Sequence, residues 1–229
     1  MGDRVYTLRR TLLATDYSPH MGVNADTFRV YDDGIMYVNL DLMSMPELDS
    51  LLPRLTQAEG LIFDLRGYPK GNHQLINHLM TQPDTTSSWM QVPQQVYPDQ
   101  QEPNHMLKLN WMEEMQPKQP YLGDKPTVFL TDGRAISYAE SFLAYISHYR
   151  LATIMGQPTA GANGNVNIIN LPGNLYITFT GMRVVKHDGS RLHGIGIAPD
   201  ILINRTVAAV RRGEDEYINA ALAHLRAGR

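Results

Sequence analysis

Hydrophobic positions along the chain switch between two periods, and the switches predict alternating strands and helices. Gly60 to Arg66 (Gly-Leu-Ile-Phe-Asp-Leu-Arg) is an unbroken apolar run that ends in charge, the pattern of a strand buried on both faces. Turn-forming residues from Gly67 to Asn72 follow it. Leu75, Ile76 and Leu79 then predict a helix over His73 to Met80. The pattern returns further on. Thr127 to Leu130 predicts a second buried strand and Asp132-Gly133 breaks it. From Ser137 the apolar residues Tyr138, Phe142, Tyr145, Ile146 and Tyr149 recur at helical steps. Two successive strand–loop–helix units imply crossover connections, hence an α/β domain with a parallel sheet.

The flanking segments fill in this plan. Phe28 to Leu42 reads as a strand pair turning at Asp32-Asp33-Gly34. A helix starts at Met45, with Leu48, Leu51, Leu52 and Leu55 on one face and Ser44 as its cap. Ala152 to Gly156 predicts another strand, and Thr159 to Asn165 a Gly/Asn-rich loop. Val166 to Leu171 and Leu175 to Val185 form a hairpin around Pro172-Gly173-Asn174. Asp215 to Arg226 predicts the last helix. Thr81 to Lys125 has no clear period, and it reads either as an ordered wall or lid beside a site or as a surface insertion. Arg4 to Arg10 alternates like a strand without an evident partner. Residues 1–25 are therefore expected to be the remnant of an upstream domain or linker, and 26–229 a single core domain.

Composition narrows the chemistry. The 229 residues are 43% hydrophobic, enough for one substantial core. A net charge of -3 provides no basic surface, so no nucleic-acid partner is expected. No apolar run reaches membrane-spanning length, so no membrane insertion is expected, and no signal peptide is visible. The chain has no cysteine, which removes thiol nucleophiles, and its eight histidines show no metal-ligand spacing. With no glycine-rich phosphate loop either, no metal or cofactor is expected.

Hydroxyl chemistry remains. Ser137 lies at a strand-to-helix junction, where the first backbone N–H groups lack intrahelical partners. It reads as an ordinary N-cap or as a nucleophile beside an oxyanion site, and the local pattern leaves both open. Glu140 follows three residues later on the same face. Amides of the Gly67 to Asn72 loop, at the carboxyl end of a central strand, are candidate oxyanion donors. His193, inside the loop Gly189 to Gly196, is the candidate general base.

Four segments in order resemble a known family. Gly60 to Gly71, with Asp64-Leu65-Arg66, is similar to the Asp-Leu-Arg signature of C-terminal processing (tail-specific) proteases. Ala135 to Glu140 resembles their nucleophile motif, Ile154 to Gly161 their Gly-x-x-Thr-x-Gly segment, and Gly194 to Ile201 their terminal Gly-x-Gly-Ile-x-Pro-Asp. The resemblance implies a serine peptidase core of the crotonase-like (ββα) superfold, with a mainly parallel central sheet and a β-hairpin near the C-terminus. In it Ser137 matches the nucleophile, and the N–H groups of Tyr138 and of the Lys70-Gly71 turn match the oxyanion hole. Ala162 stands where tail-specific members carry a Lys base. The Thr-Ala-Gly form resembles the tricorn-core and retinoid-binding-protein branch, whose His base precedes a PDZ domain, so the resemblance implies a base supplied by such an N-terminal segment in preference to His193. That branch has a Glu near the position of His193. The resemblance thus implies a polypeptide substrate, upstream PDZ-like and N-terminal domains of the same protein as partners, and export to the periplasm or cell envelope, and it leaves a homo-oligomer open. It also implies weak or no activity for this chain alone. The alternative is a non-catalytic member binding peptides or apolar ligands in the same groove.

Overall fold

The computed structural model describes residues 26–86, 89–93, 105–110 and 114–228. The strand expected at Arg4 to Arg10 and the upstream remnant lie outside the described residues. The first elements are β1 (Phe28–Val30), β2 (Ile35–Asn39), α1 (Met45–Leu55), β3 (Gly60–Asp64), a 3₁₀ helix (His73–His78), β4 (Met90–Pro93) and β5 (Met106–Leu109). Then come β6 (Thr127–Thr131), α2 (Tyr138–His148), β7 (Thr153–Gly156), β8 (Val166–Leu171), β9 (Leu175–Thr180), β10 (Arg183–Val184), β11 (Ile201–Leu202), α3 (Val207–Arg212) and α4 (Glu216–Ala227).

The main sheet has the order β1-β2-β3-β6-β7-β11, antiparallel only between β1 and β2. Every residue of β2, β3 and β6 is buried, as a strand covered on both faces requires. The pleat sends alternate side chains into two separate cores. Leu61, Phe63 and Phe129 pack with α1 and α2 through residues such as Leu48 and Phe142. Ile62, Val128 and Leu130 face α4 through Ile218, Leu222 and Leu225. Each such fully buried side chain contributes about 1.5–3 kcal/mol.

The ends of the sheet differ in chemistry. At the carboxyl end of β3, Arg66 is a two-sided clamp. Its guanidinium donates to Asp64 at 2.9 and 2.6 Å and to Asp215 at 2.9 and 2.8 Å. Tyr37 donates to Asp64 at 2.7 Å, and the guanidinium lies 5.1 Å from the Tyr217 ring. Burial alone would raise the Asp64 carboxyl, but Arg66 and these donors hold it below its ordinary range. Asp215 also caps α4 through the Tyr217 and Ile218 N–H groups, so the clamp fixes α4 to the sheet.

Four sequence expectations change. The helix expected over His73 to Met80 is a 3₁₀ helix. Its bonds run back three residues, as from the Leu79 N–H to the Ile76 carbonyl, and the Asn77 and His78 carbonyls at its end accept from the Lys118 and Leu122 N–H groups. The stretch from Thr81 to Lys125 holds β4 and β5, which join β10 in a small antiparallel sheet. The second hairpin strand stops at Thr180, and Arg183–Val184 pair with β4 rather than with β8. Helix α3 was not expected, because its Val207 and Val210 face solvent and leave no apolar stripe.

Candidate active site

The loops after β3, β6 and β7 meet at the carboxyl ends of the parallel strands, where such sheets leave room for ligands. Ser137 ends the loop after β6 and has φ 54 and ψ −108. The other residues that start helices here are ordinary: Ser44, Thr206 and Asp215 all have extended backbone, as N-caps do. A non-glycine residue at positive φ costs on the order of 1–3 kcal/mol and needs surrounding structure to hold it there.

Glu140 is the centre of that support. It is fully buried, and its carboxylate accepts from the Thr159 hydroxyl and Gly161 N–H at 2.6 Å each, from Ala162 N–H at 3.0 Å and from Ser137 N–H at 3.2 Å. The Ser137 N–H also reaches the Ala162 carbonyl at 2.9 Å, and Ala160 N–H the Ala135 carbonyl at 3.0 Å. Thr159 in turn accepts from Ile197 N–H at 2.7 Å, and Gly194 N–H donates to the Gly161 carbonyl at 2.8 Å. Gly161 is at φ 69, and a Cβ on it would come within 2.7–2.9 Å of the Ile195, Gly194 and Gly196 nitrogens. Three segments far apart in sequence thus close into one knot around a single carboxylate.

The loop after β3 is held differently. Lys70 N–H donates to the Leu40 carbonyl at 3.0 Å, and the Asn72 side chain donates to the Leu40 and Met43 carbonyls at 2.7 Å each. Lys70 is therefore corrected as an oxyanion donor, because its amide is already used. Gly71, exposed and at φ 68, makes no hydrogen bond through its N–H among the described residues. Beneath the loop lies Asp41, whose Oδ2 would be 2.0 Å from a Cβ on Gly67. Burial first, and the Asp64 charge second, push the Asp41 carboxyl up to about 7.

A cavity of about 650 Å³ opens over these loops. Ser137, Tyr138 and Gly71 line it together with Tyr68, His73, Met90, Leu109, Asn163 and Met182. Among the described residues its lining includes no Asp, Glu, Lys or Arg. His193 does not line it; its Nε2 accepts from the Val184 N–H at 2.9 Å, so the ring props β10. Glu140 sits behind Ser137 with its oxygens committed to the knot. His73 was passed over as one histidine among eight, although it directly follows the Gly71–Asn72 loop end. Its Nδ1 lies 2.7 Å from the Tyr138 hydroxyl, which also accepts from the His73 N–H at 3.2 Å. Burial pushes that phenol up to about 12, so it stays protonated.

The profile of Peptidase family S41 matches residues 34–203, a span that takes in all three loops and the knot. The chain belongs to peptidase family S41. A carboxy-terminal-processing protease of Bartonella bacilliformis is 29% identical over 92 residues, which are 40% of this chain and 21% of that protein. The chain spans about a fifth or less of the curated relatives it matches, with shares of 21%, 16% and 14%. A solved structure of a peptidase candidate from Parabacteroides merdae has a TM-score of 0.70 over 93% of this chain and 67% of that one, at 22% identity. Mature CPAF has a TM-score of 0.62 over 86% of this chain and 52% of its own, at 16% identity. Likeness at these identities speaks for the fold. Ala162, which the sequence resemblance sets against the Lys of tail-specific members, is exposed, and its carbonyl accepts from the Ser137 N–H. Another feature lies outside the matched span, since Asp215, which completes the Arg66 clamp, follows residue 203.

Proposed function

We propose that this chain is the core of a serine endopeptidase in which Ser137 is the nucleophile. The observation that carries the reading is the Ser137 backbone, held at positive φ by the Glu140 knot while the residues that start the other α-helices among the described residues are extended. Such strain is retained where geometry matters to function. In this reading Ser137 Oγ attacks a peptide carbonyl carbon and gives up its proton to a base. The Tyr138 and Gly71 N–H groups receive the oxyanion, and the amine leaves with a proton before water releases the acyl group. Glu140 is a positioning residue, since its oxygens are committed to Thr159, Gly161, Ala162 and Ser137.

The base comes from outside the described residues. His193 is engaged with Val184, His73 is turned to the Tyr138 hydroxyl, and Ala162 has no titratable group. The substrate is an unfolded polypeptide whose cleaved stretch is uncharged, in keeping with a cavity lined by Tyr, Met, Leu and Asn side chains. Upstream PDZ-like and N-terminal domains, a crotonase-like classification of the core and a periplasmic or envelope location belong to the same reading and rest on the family. Among the described residues no helix is long and apolar enough to cross a membrane.

Incubation with unfolded casein, followed by counting new amino termini, tests the proposal. Slow cleavage by this chain that disappears in Ser137→Ala and persists in His193→Ala is expected; cleavage that survives Ser137→Ala sinks it. A second reading, a peptide- or apolar-ligand-binding member without turnover, draws on the absence of an amine at Ala162. It predicts saturable binding of an uncharged apolar peptide with no cleavage, even when a base is restored beside Ser137.

A further inference from the structure

The β8–β9 hairpin stands outside both cores, with every one of its strand residues exposed. Its composition is as unusual as its position. From Asn163 to Met182 the chain carries no Asp, Glu, Lys, Arg or His. Side chains alternate across a two-stranded ribbon, and the register collects Ile169, Leu171, Leu175, Ile177 and Phe179 on one face, with Asn167 as its single polar member. These five are 41–64% exposed. The opposite face dilutes Val166, Ile168 and Tyr176 with Asn170, Thr178 and Thr180.

A two-stranded ribbon with no packed face is at best marginally stable in water, and a contiguous apolar patch of this kind marks an interaction surface. With no charge on it, the ribbon offers nothing to an ionic partner and nothing that repels an identical ribbon. The area also fits. Five large apolar side chains, each about half exposed, supply roughly 500 Å² of apolar surface. A standard interface takes about 800 Å² per partner, about two-thirds of it apolar in homodimers.

We infer that β8–β9 is a dimerisation arm, whose Ile169–Phe179 face packs against the same face of a second copy about a two-fold axis. Two ribbons then form a four-stranded, two-layer sandwich with layers about 10 Å apart. The contact is isologous, so it closes at two copies. It also reaches the site: Asn165 and Met182, at the two roots of the arm, line the cavity that holds Ser137. The second copy thereby steadies the cavity mouth.

Sedimentation velocity across the micromolar range tests the arm, and its outcome does not depend on whether Ser137 is a nucleophile. The wild-type chain is expected to be a dimer. Ile169→Lys with Ile177→Lys should weaken association at least tenfold, while Ile168→Lys with Thr178→Lys on the other face leaves it intact. A monomeric wild type, or equal losses from both pairs, overturns the inference. Because the chain has no cysteine, single substitutions give a second check that does not depend on charged variants folding. A short bis-maleimide should link Ile177→Cys copies and not Ile168→Cys copies. The reverse pattern, or no link at either position, also overturns it.

Discussion

Ser137 is held at φ 54 against the preference of any residue with a Cβ, and glycine is the side chain that would relieve it. Ser137→Gly is therefore expected to be more stable than Ser137→Ala by about 1 kcal/mol or more in urea titrations. Equal stabilities would mean that the backbone there is unstrained. Glu140 makes the complementary case. Replacing it by Gln turns one acceptor oxygen into a donor facing N–H and O–H groups, with no water to take over. Glu140→Gln should lose about 2–4 kcal/mol by denaturant unfolding, and loss of activity without loss of stability would point to a chemical role instead. Asp41 titrates where proteins work. Its folded value of about 7 lies above the ordinary 3.8, so the fold favours the neutral acid. The wild type is then at its relative best below about pH 4, loses stability as pH rises to about 7, and is flat above. The stability gap between Asp41→Asn and wild type should widen in favour of Asn across that window; a gap independent of pH would refute the shift. None of these three roles is legible at the residue itself. A serine before a helix, a buried glutamate and an aspartate after a strand read as cap, helix face and turn until distant donors are placed around them.

At the scale of elements, β3, β6, α1 and α2 were legible because their apolar residues carry their own period and are buried in the cores that period implies. The failures have physical causes too. Strands β4 and β5 are short, and the side chains of β5 are mostly exposed, so no alternation marks them. The 3₁₀ helix His73–His78 carries a good helical spacing, but at six residues it is too short for spacing to tell the two helix types apart. The Asp-Leu-Arg run gave the strand from pattern alone, whereas its partner Asp215 lies 149 residues away and was invisible. Arg66→Ala should cost about 3–5 kcal/mol, because it leaves two carboxylates facing each other in a buried pocket. Circular dichroism during urea unfolding reads this directly, and a loss below about 1 kcal/mol would mean the clamp is solvated.

For the whole molecule, the parallel run of β3, β6 and β7 places the loops that follow them at one end of the sheet and leaves the core under α4 to stability alone. Four ordered motifs were legible as a resemblance long before their geometry. Three of them turn out to be one hydrogen-bonded knot and the fourth a clamp with its adjoining loop. What pattern could not reveal is completeness: His193 was the one in-chain base that sequence suggested, and the fold spends its Nε2 on Val184. In the proposed peptidase, Ser137 and its oxyanion donors are in place while the base is not. The rate of Ser137 modification by a fluorophosphonate, read by intact mass and peptide mapping, tests this most directly. The wild-type chain should react slowly. Ala162→Lys, which returns an amine beside Ser137, should react at least about a hundredfold faster, and a further Ser137→Ala should abolish the reaction. Rapid labelling of the wild type at Ser137, or no acceleration in Ala162→Lys, would contradict the claim.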